Sequence, residues 1–271
     1  MVVRADPARP LRHRFQKEML EILRTARTDA VQRIREHLKY RTIDVDEVVR
    51  ILQEVDQRHL DARAKRTIDY YIRSTYQQGV DHTLSSLQVA PKPPGSKLSI
   101  AASFTLQDTK AIENMAALNF SELNGITAEM SRRIVRDLVE ADKQGLGITK
   151  MSQIVYDDFN SIGLARAERL VRTANTQVYN EAAWSRVLQY APYKEWIPTL
   201  SDQRTRESHR RMKGVIIPVD EAFIVPAFQP SPKSKAVPEA RMLYPGDTSL
   251  GASLGQIVNC RCALAGRFVQ K

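Results

Sequence analysis

The chain has 271 residues, of which 42% are hydrophobic and 27% are charged, and this composition excludes a wholly disordered, collagen-like or disulfide-scaffold protein. No apolar run approaches the roughly 18 residues that a membrane helix needs, and the N-terminal segment lacks the apolar core of a secretory signal. The formal net charge of +10 favours a polyanionic partner such as double-stranded DNA, although a solvated basic surface would carry the same charge. We therefore expect a globular protein with no membrane association.

Three amphipathic helices are predicted in the N-terminal third, because apolar residues recur there at the three- and four-residue spacing of a helix face. The second of them begins at Asp44, a residue type that caps helix N-termini. The predicted helices cover about residues 11–38, 44–56 and 58–86. Their apolar faces are packing surfaces against this chain or against a second copy, so we assign residues 1–90 to a helical extension with a surface for self-association.

A proline-rich linker at residues 91–100 separates this extension from a second helical part at residues 101–191. Asp108 is the predicted N-cap of its first helix, and the pair Asn124 and Gly125 predicts the end of that helix. Further helices are predicted at 127–144, 149–159 and 165–189, with a glycine-rich C-terminus after the first and a short break at 161–163 between the other two.

Residues 192–271 differ in composition, since they combine short β-strand patterns with many prolines and loops. A short helix is predicted at 202–213, with Asp202 as its N-cap and Gly214 after its C-terminus. Strands are predicted near 195–200, 215–219, 223–226 and 256–268, the last of which carries both cysteines. The predicted fold is therefore α+β and mainly α, with a helical N-terminal two thirds (residues 10–190) followed by a small, loop-rich α+β subdomain.

The predicted short helix places four side chains on one face, namely those of Asp202, Arg206, His209 and Lys213. His209 is the only histidine in the C-terminal two thirds of the chain, and histidine serves as a general base or as a metal ligand. A nuclease built on this helix would combine His209 with Arg206 and Glu207, but Glu207 points about 200° away from His209 on an ideal helix. A capping role alone would also explain Asp202.

The two cysteines, Cys260 and Cys262, are one residue apart, which is too close for an unstrained disulfide. In an extended strand both sulfur atoms would point to the same side and could bind one ion. A structural zinc site has four ligands, so His209 would be the third and Asp202 the fourth. The alternative is that the cysteines are two small buried side chains with no ion.

Several short motifs occur in the order that is typical of one protein family. They are Arg172-Thr173-Ala174-Asn175, Trp196, Asp202-x-Arg204-Thr205-x-x-x-His209-x-x-x-x-Gly214, Phe223, Pro245-Gly246-Asp247 and Asn259-Cys260-Arg261-Cys262. In this order they resemble the phage Mu F-like head morphogenesis proteins, which are minor capsid proteins of tailed phages and prophages. The resemblance extends over about residues 110–265, and residues 1–90 have no feature that matches.

The resemblance also bears on the metal site, because many members of that family have zinc-like ligand spacing, with two cysteines in the short helix and a histidine before the terminal cysteines. This chain has Arg206 and His209 at the two helix positions and Ile257 at the third. Arginine and isoleucine do not bind zinc, so the resemblance implies a variant set. That set consists of Asp202, His209, Cys260 and Cys262. A hydrogen bond between the first two of these, with no ion, is the alternative use of the same residues.

For function, the resemblance implies a virion structural protein that enters the head with the portal protein and other head assembly proteins, and that acts in head morphogenesis, DNA packaging or ejection. It implies a location in the virion, and in the host cytoplasm during assembly. One alternative is a phage-borne nuclease or transferase-type effector that uses the Arg206/His209 region, and another is a non-specific DNA-binding protein with no capsid role. The sequence has no P-loop, glycine-rich nucleotide motif or carboxylate cluster, so we expect no enzymatic activity.

Overall fold

The computed structural model describes residues 8–39, 43–92, 104–199 and 205–268. Up to residue 190 these residues form six α-helices, which are α1 (Arg9–Leu38), α2 (Val45–Asp56), α3 (Ala62–Val89), α4 (Leu106–Lys143), α5 (Ile148–Asp158) and α6 (Ala165–Tyr190). Within the described ranges every strand begins at or after Tyr193, which is two residues before the first predicted strand at 195–200. The predicted α+β class, mainly α, is confirmed.

The chain divides into two compact units, each assembled from segments that are distant in sequence. The first unit contains the described residues of Met1–Arg12, Ile72–Glu113 and Arg172–Lys271, and the second contains those of His13–Tyr71 and Asn114–Val171. Helices α1, α3, α4 and α6 therefore contribute residues to both. Most of the predicted linker at 91–100 lies outside the described residues, and the four-part division of the chain by sequence stays a prediction.

The core of the second unit contains the apolar faces that the sequence predicted. From α1 it takes a row of buried side chains, comprising Phe15, Met19, Ile22, Leu23, Ala26, Ala30, Ile34 and Leu38. Helix α2 begins as predicted, because the Asp44 carboxylate accepts hydrogen bonds from the backbone N–H groups of Asp46 and Glu47. The π-helical segment Gln57–Asp61 joins α2 to α3.

Helix α4 continues through Asn124 and Gly125, so the break predicted there is wrong. Leu123 and Met130 on either side are fully buried. Burial of one such side chain stabilises the fold by about 1.5–3 kcal/mol, which exceeds the cost of about 1 kcal/mol for a glycine inside a helix. Thr127, predicted to start a new helix, instead donates its hydroxyl hydrogen to the carbonyl of Asn124 within α4.

The predicted glycine-rich end of α4 is confirmed, since Gly145 adopts a φ of 66° and the N–H of Leu146 donates to the carbonyl of Ala141. The break predicted at 161–163 is wrong, because the π-helical segment Phe159–Leu164 joins α5 to α6 directly. Gly163 in this segment faces the Met130 sulfur, and a Cβ atom there would lie only 2.8 Å from it. Close packing within the second unit therefore explains this glycine.

In the first unit, α4 begins with a reciprocal pair of caps between Thr105 and Asp108. The Thr105 hydroxyl accepts from the backbone N–H of Asp108, and the Asp108 carboxylate accepts from the backbone N–H of Thr105. Asp108 was predicted as the N-cap but lies in the first helical turn, and Thr105 holds the cap position. The Asp108 side chain is buried because it also binds Arg186 of α6.

The C-terminal part of the first unit contains short elements around one apolar core. They are β1 (Tyr193–Ile197), α7 (Glu207–Arg210), β2 (Ile216–Pro218), β3 (Phe223–Val225), β4 (Ala240–Met242), α8 (Leu254–Ile257) and β5 (Ala263–Arg267). One antiparallel sheet has the order β2-β1-β5, in which Trp196 pairs with Leu264, and β3 pairs with β4 in the other. The core includes Trp196, Phe223 and Met242, all of them fully buried.

Two predicted elements of this part are shorter than expected. In the described part of the predicted helix 202–213, only the single turn α7 is helical, because Arg206 has extended backbone and its side chain donates to the carbonyl of Val258. The predicted strand 256–268 is confined to β5, because α8 occupies its first residues and Asn259 adopts a left-handed φ of 59° that no strand accommodates. Cys260 and Cys262 therefore lie before β5.

Candidate metal centre

The structure brings together three of the four residues predicted as metal ligands. His209 Nδ1 lies 3.5 Å from the sulfur of Cys260 and 3.4 Å from the sulfur of Cys262. All three side chains are buried, with no more than 3% of their surface exposed. Asp202, the fourth predicted ligand, lies outside the described residues. The candidate site is therefore a compact His/Cys/Cys cluster, which we call the His209 cluster.

The dimensions of the His209 cluster fit a tetrahedral zinc ion. Zinc–nitrogen bonds of about 2.05 Å and zinc–sulfur bonds of about 2.3 Å, at a tetrahedral angle, separate nitrogen from sulfur by about 3.5 Å. Both nitrogen–sulfur distances of the cluster agree with this value, and its three donor atoms lie within 4.8 Å of one another. Among the described residues no further histidine, cysteine or carboxylate joins them, so a fourth ligand would be water or a residue outside the described ranges.

His209 is positioned by α7 and by the core beside it. Its ring packs edge-on against the indole of Trp196 in β1, with ring centroids 5.3 Å apart. The neighbouring Ser208 is also buried, and its hydroxyl donates to the side-chain carbonyl of Gln256 in α8. With Nδ1 turned toward the two sulfur atoms, His209 Nε2 is buried without a hydrogen-bond partner in the described part of the chain.

The segment that carries the cysteines is held by polar side chains of α6. Thr176 donates its hydroxyl hydrogen to the carbonyl of Cys260 at 2.6 Å, and the amide of Asn180 donates to the carbonyl of Cys262 at 2.9 Å. Asn180 also accepts a hydrogen bond from the backbone N–H of Leu264, the second residue of β5. Hydrogen bonds from α6 therefore position the backbone from which the two sulfurs converge. The extended strand from which this convergence was predicted is absent at Cys260 and Cys262, because β5 begins at Ala263.

Sequence reasoning missed these two supporting residues. Thr176 and Asn180 are almost completely buried and are four residues apart, so they occupy one face of α6. Thr173 lies on the same face, and its hydroxyl accepts a hydrogen bond from the backbone N–H of Asn259. The sequence signal that could have found them is a stripe of polar residues on the buried, otherwise apolar side of α6. Buried polar groups almost always have hydrogen-bond partners, so such a stripe indicates a supporting role.

The charges around the His209 cluster favour a thiolate. Hydrogen bonding to Cys262 and the nearby imidazole of His209 hold the pKa of Cys260 well below its ordinary value. Burial raises the pKa of Cys262. Burial also lowers the pKa of the Arg206 guanidinium, although both neighbouring thiols act in the opposite direction. The cluster can therefore bind a divalent cation through thiolate and imidazole ligands, or form a hydrogen-bonded group with no ion.

The constellation considered for a nuclease is not assembled in the described residues. Glu207 is exposed, and its carboxylate accepts a hydrogen bond from Arg211, four residues further along the chain. His209 is 1% exposed and faces the cysteines. A general acid–base pair needs both groups within reach of one substrate, so this geometry favours a structural use of His209.

Comparison with known proteins assigns one region of the chain to a family. Residues 132–265 match the family model described as Phage Mu protein F like protein. These residues belong to the phage Mu F-like family. The Mu F-like region covers about half of the chain and contains α5, α6 and every element up to most of β5. No match was found among curated proteins or among solved structures.

The family indicates a bacteriophage head morphogenesis protein, in agreement with the resemblance noted in the sequence. Arg172-Thr173-Ala174-Asn175, the first motif of that resemblance, begins the part of α6 that supports the cysteine segment. Asn175 in this motif donates to the hydroxyl of Thr75 in α3. In the described ranges, none of the helices combines the length and apolarity needed to cross a membrane.

Proposed function

We propose that this protein is a minor head protein of a tailed phage or prophage and acts in head morphogenesis. The Mu F-like region at residues 132–265 is the observation that carries the proposal. The net charge of +10 supports a position beside packaged DNA, because a basic protein lowers the repulsion between phosphates and itself binds them. The proposed location is the virion, and the host cytoplasm during assembly.

The proposed partners are the portal protein and other head assembly proteins, and the proposed stage is head assembly, DNA packaging or ejection. Co-expression of this chain with the portal protein of the same phage, followed by affinity purification, tests the partnership, with the major capsid protein as the matched control. We expect this chain to co-purify with the portal protein and not with the major capsid protein. Quantitative mass spectrometry of purified virions should find far fewer copies than of the major capsid protein. Absence from virions, or equal copy numbers, would contradict the proposal.

We further propose that the His209 cluster binds zinc in a structural role. The support is geometric: His209 Nδ1 and the sulfurs of Cys260 and Cys262 have the separations of tetrahedral zinc ligands. A bound zinc ion would cross-link α7 to the segment before β5. Such a cross-link stabilises small loop-rich regions, because the binding free energy of the ion adds to the free energy of folding.

Elemental analysis of protein purified without chelators tests the zinc proposal. We expect about one zinc ion per chain and its loss in His209→Ala and Cys262→Ser. His13→Ala, which removes an exposed histidine of α1, is the matched control and should retain the metal. In Asp202→Ala, weaker zinc retention would identify the fourth ligand. Wild-type protein that contains no zinc and takes none up under reducing conditions would exclude the site.

Two further proposals concern binding at the surface. The basic chain is expected to bind duplex DNA without sequence preference, and the affinity should fall as salt rises because binding releases counterions. Gel shifts at low and moderate ionic strength test this, and sequence-selective binding that resists salt would contradict it.

The helices of residues 1–90 are the proposed surface for self-association. Light scattering of the purified chain tests this, because it measures the molar mass of the particle in solution.

A further inference from the structure

A second cavity of the first unit lies beside the His209 cluster and serves none of the roles proposed above. Its volume is about 580 Å³, within the range of roughly 300–1,000 Å³ that is typical of small-molecule sites. Arg206, Asn259 and Arg261 line it and also border the cluster, so the two sites share a wall. The cavity is open to solvent along one side, and we call it the arginine pocket.

One wall of the arginine pocket is strongly basic. Arg172 of α6, Arg206 before α7 and Arg261 between the two cysteines line it, and Arg206 also donates to the carbonyl of Val258. Glu207 is the one carboxylate among the described lining residues, and it accepts a hydrogen bond from Arg211, which lies outside the pocket. Guanidinium groups match the geometry of phosphate oxygens through paired hydrogen bonds. This wall therefore favours a phosphate group.

The lining of the arginine pocket also has an apolar part that contains an aromatic ring. Phe228 and Val237 line it, and their backbones exchange two hydrogen bonds of 3.0 and 2.7 Å across a loop. Phe228 is half-buried, so part of its ring remains accessible. A nucleic acid base stacks on such a ring, and one stacked base contributes about 1–3 kcal/mol to binding.

The pocket is built before any ligand arrives, because buried polar contacts hold its walls together. Gln256, fully buried in α8, donates to the carbonyls of Pro226 and Pro238 on either side of the loop and accepts from Ser208 of α7. Gly255 allows this packing, since a Cβ atom there would lie 2.8 Å from the methyl groups of Val237. A preformed pocket lowers the ordering cost of binding.

We propose that the arginine pocket binds a nucleotide unit, with its phosphate on Arg206 and Arg261 and its base against Phe228. The unit is either a free nucleotide or the terminal nucleotide of a single strand. Duplex backbone does not fit, because a paired and stacked base cannot enter a concave pocket of this size without leaving the stack. This proposal does not require an ion in the His209 cluster, and it goes beyond the proposed head function.

Fluorescence anisotropy with the full-length protein and a labelled, 5′-phosphorylated oligothymidine tests the proposal. We expect saturable binding that weakens about tenfold when the 5′-phosphate is removed, a loss that corresponds to about 1.4 kcal/mol. At moderate ionic strength, where the non-specific duplex binding proposed above is weak, a closed DNA dumbbell, which has no strand ends, and inorganic phosphate should each compete poorly. Competition by thymidine monophosphate at equal affinity would identify a free nucleotide as the ligand, and weaker competition would identify the strand end.

Four variants test the role of the pocket residues, and the last of them is the control. Phe228→Ala and Arg261→Ala should each weaken binding of the phosphorylated oligonucleotide about tenfold. Arg261→Lys keeps the charge and the fold but lacks the forked donor, so an intermediate loss is expected. Arg241→Ala removes a positive charge from an exposed position in β4 outside the pocket and should change affinity by less than about twofold.

Each opposite result would overturn the proposal. Equal losses in Arg241→Ala and Arg261→Ala would show that binding depends on net charge alone. An affinity for the dumbbell or for inorganic phosphate equal to that for the oligonucleotide would exclude a role for the base. If none of the nucleotides binds at low salt while thermal melting shows every variant folded, the pocket has no nucleotide ligand. Portal co-purification is measured separately and does not depend on this outcome.

Discussion

The hydroxyl of Thr176 donates a 2.6 Å hydrogen bond to the carbonyl oxygen of Cys260, across 84 residues of sequence. Both groups are buried, so this bond ties the segment that carries the cysteines to α6. With Asn180, which binds the carbonyl of Cys262, it orients the backbone from which both sulfurs reach His209. The geometry of the candidate metal centre thus depends on a helix that contributes no ligand to it.

Thr176→Val should destabilise the protein by about 1–3 kcal/mol, because it leaves the buried carbonyl of Cys260 without its donor. Valine has nearly the same shape, so packing changes little. Urea denaturation measures the change in the free energy of unfolding. Thr173→Val is the matched control, since the bond from Asn259 that it removes is exposed and should matter less. Equal effects of the two variants would contradict the role assigned to Thr176.

Asp108→Asn should cost about 3–5 kcal/mol of stability, because it breaks a buried ion pair and leaves the Arg186 charge uncompensated. The two side chains are each 2% exposed and lie 2.6 Å apart, and Tyr76 also donates to Asp108. Asp137→Asn, which removes partly exposed ion pairs with Arg133 and Arg136, is the control and should change stability by no more than about 1 kcal/mol.

The same aspartate predicts sensitivity to acid. Burial raises the pKa of Asp108, but hydrogen bonds from Arg186, Thr105 and Tyr76 outweigh it and lower the pKa to about 2. A carboxyl group with a lowered pKa stabilises the fold above its unfolded pKa of about 3.9, and that contribution is lost as the pH falls toward 2. Wild type should therefore lose stability between pH 4 and about 2 more steeply than Asp108→Asn. Parallel pH profiles would contradict this expectation.

Lys194 predicts a second rise of stability with pH, in the alkaline range. Its ammonium group is buried, donates to the carbonyl of Leu243 and lies 4.2 Å from the centre of the Trp184 ring. Burial lowers the pKa of Lys194 to about 8. Above this value the unfolded chain holds more protons than the folded one, so stability should rise with pH until the unfolded pKa of about 10.4 is reached.

Lys194→Met should remove that rise. Between pH 7.5 and 9.5 we expect the free energy of unfolding of wild type to gain about 1–2 kcal/mol relative to the variant. Urea titrations of both proteins at the two pH values measure the difference, in which the contributions of other titrating groups cancel. Lys213→Met removes an exposed lysine and should follow wild type. A difference that stays constant with pH would show that burial does not shift the pKa of Lys194.

Two helical glycines should respond in opposite directions to alanine. At Gly79 in α3, a Cβ atom would lie 2.6 Å from the backbone oxygen of Tyr179 and 2.8 Å from the Cβ of Ala182, so Gly79→Ala should cost about 1–3 kcal/mol through overpacking. At Gly125 in α4, a Cβ atom would meet nothing within 4 Å. Gly125→Ala should therefore stabilise the helix by about 0.5–1 kcal/mol, which thermal melting can detect.

Most of the helices of this protein could be predicted from the sequence. A helix face depends on residues three and four apart, and a cap depends on residues within one turn. The buried apolar row of α1 and the N-cap of α2 at Asp44 could therefore be predicted from local sequence patterns. Sequence predictions were wrong where tertiary packing outweighed a local signal. Gly125 predicted a helix end, but the buried residues on both sides of it keep α4 continuous.

The candidate sites required the tertiary structure. The sequence named His209, Cys260 and Cys262 by their chemistry, but their meeting depends on the hydrogen bonds of Thr176 and Asn180 across more than 80 residues. The pocket likewise collects arginines from three separate segments. Composition and local spacing identify which side chains can bind an ion or a phosphate. Only the packing of distant segments, which no local pattern records, decides which of them share one site.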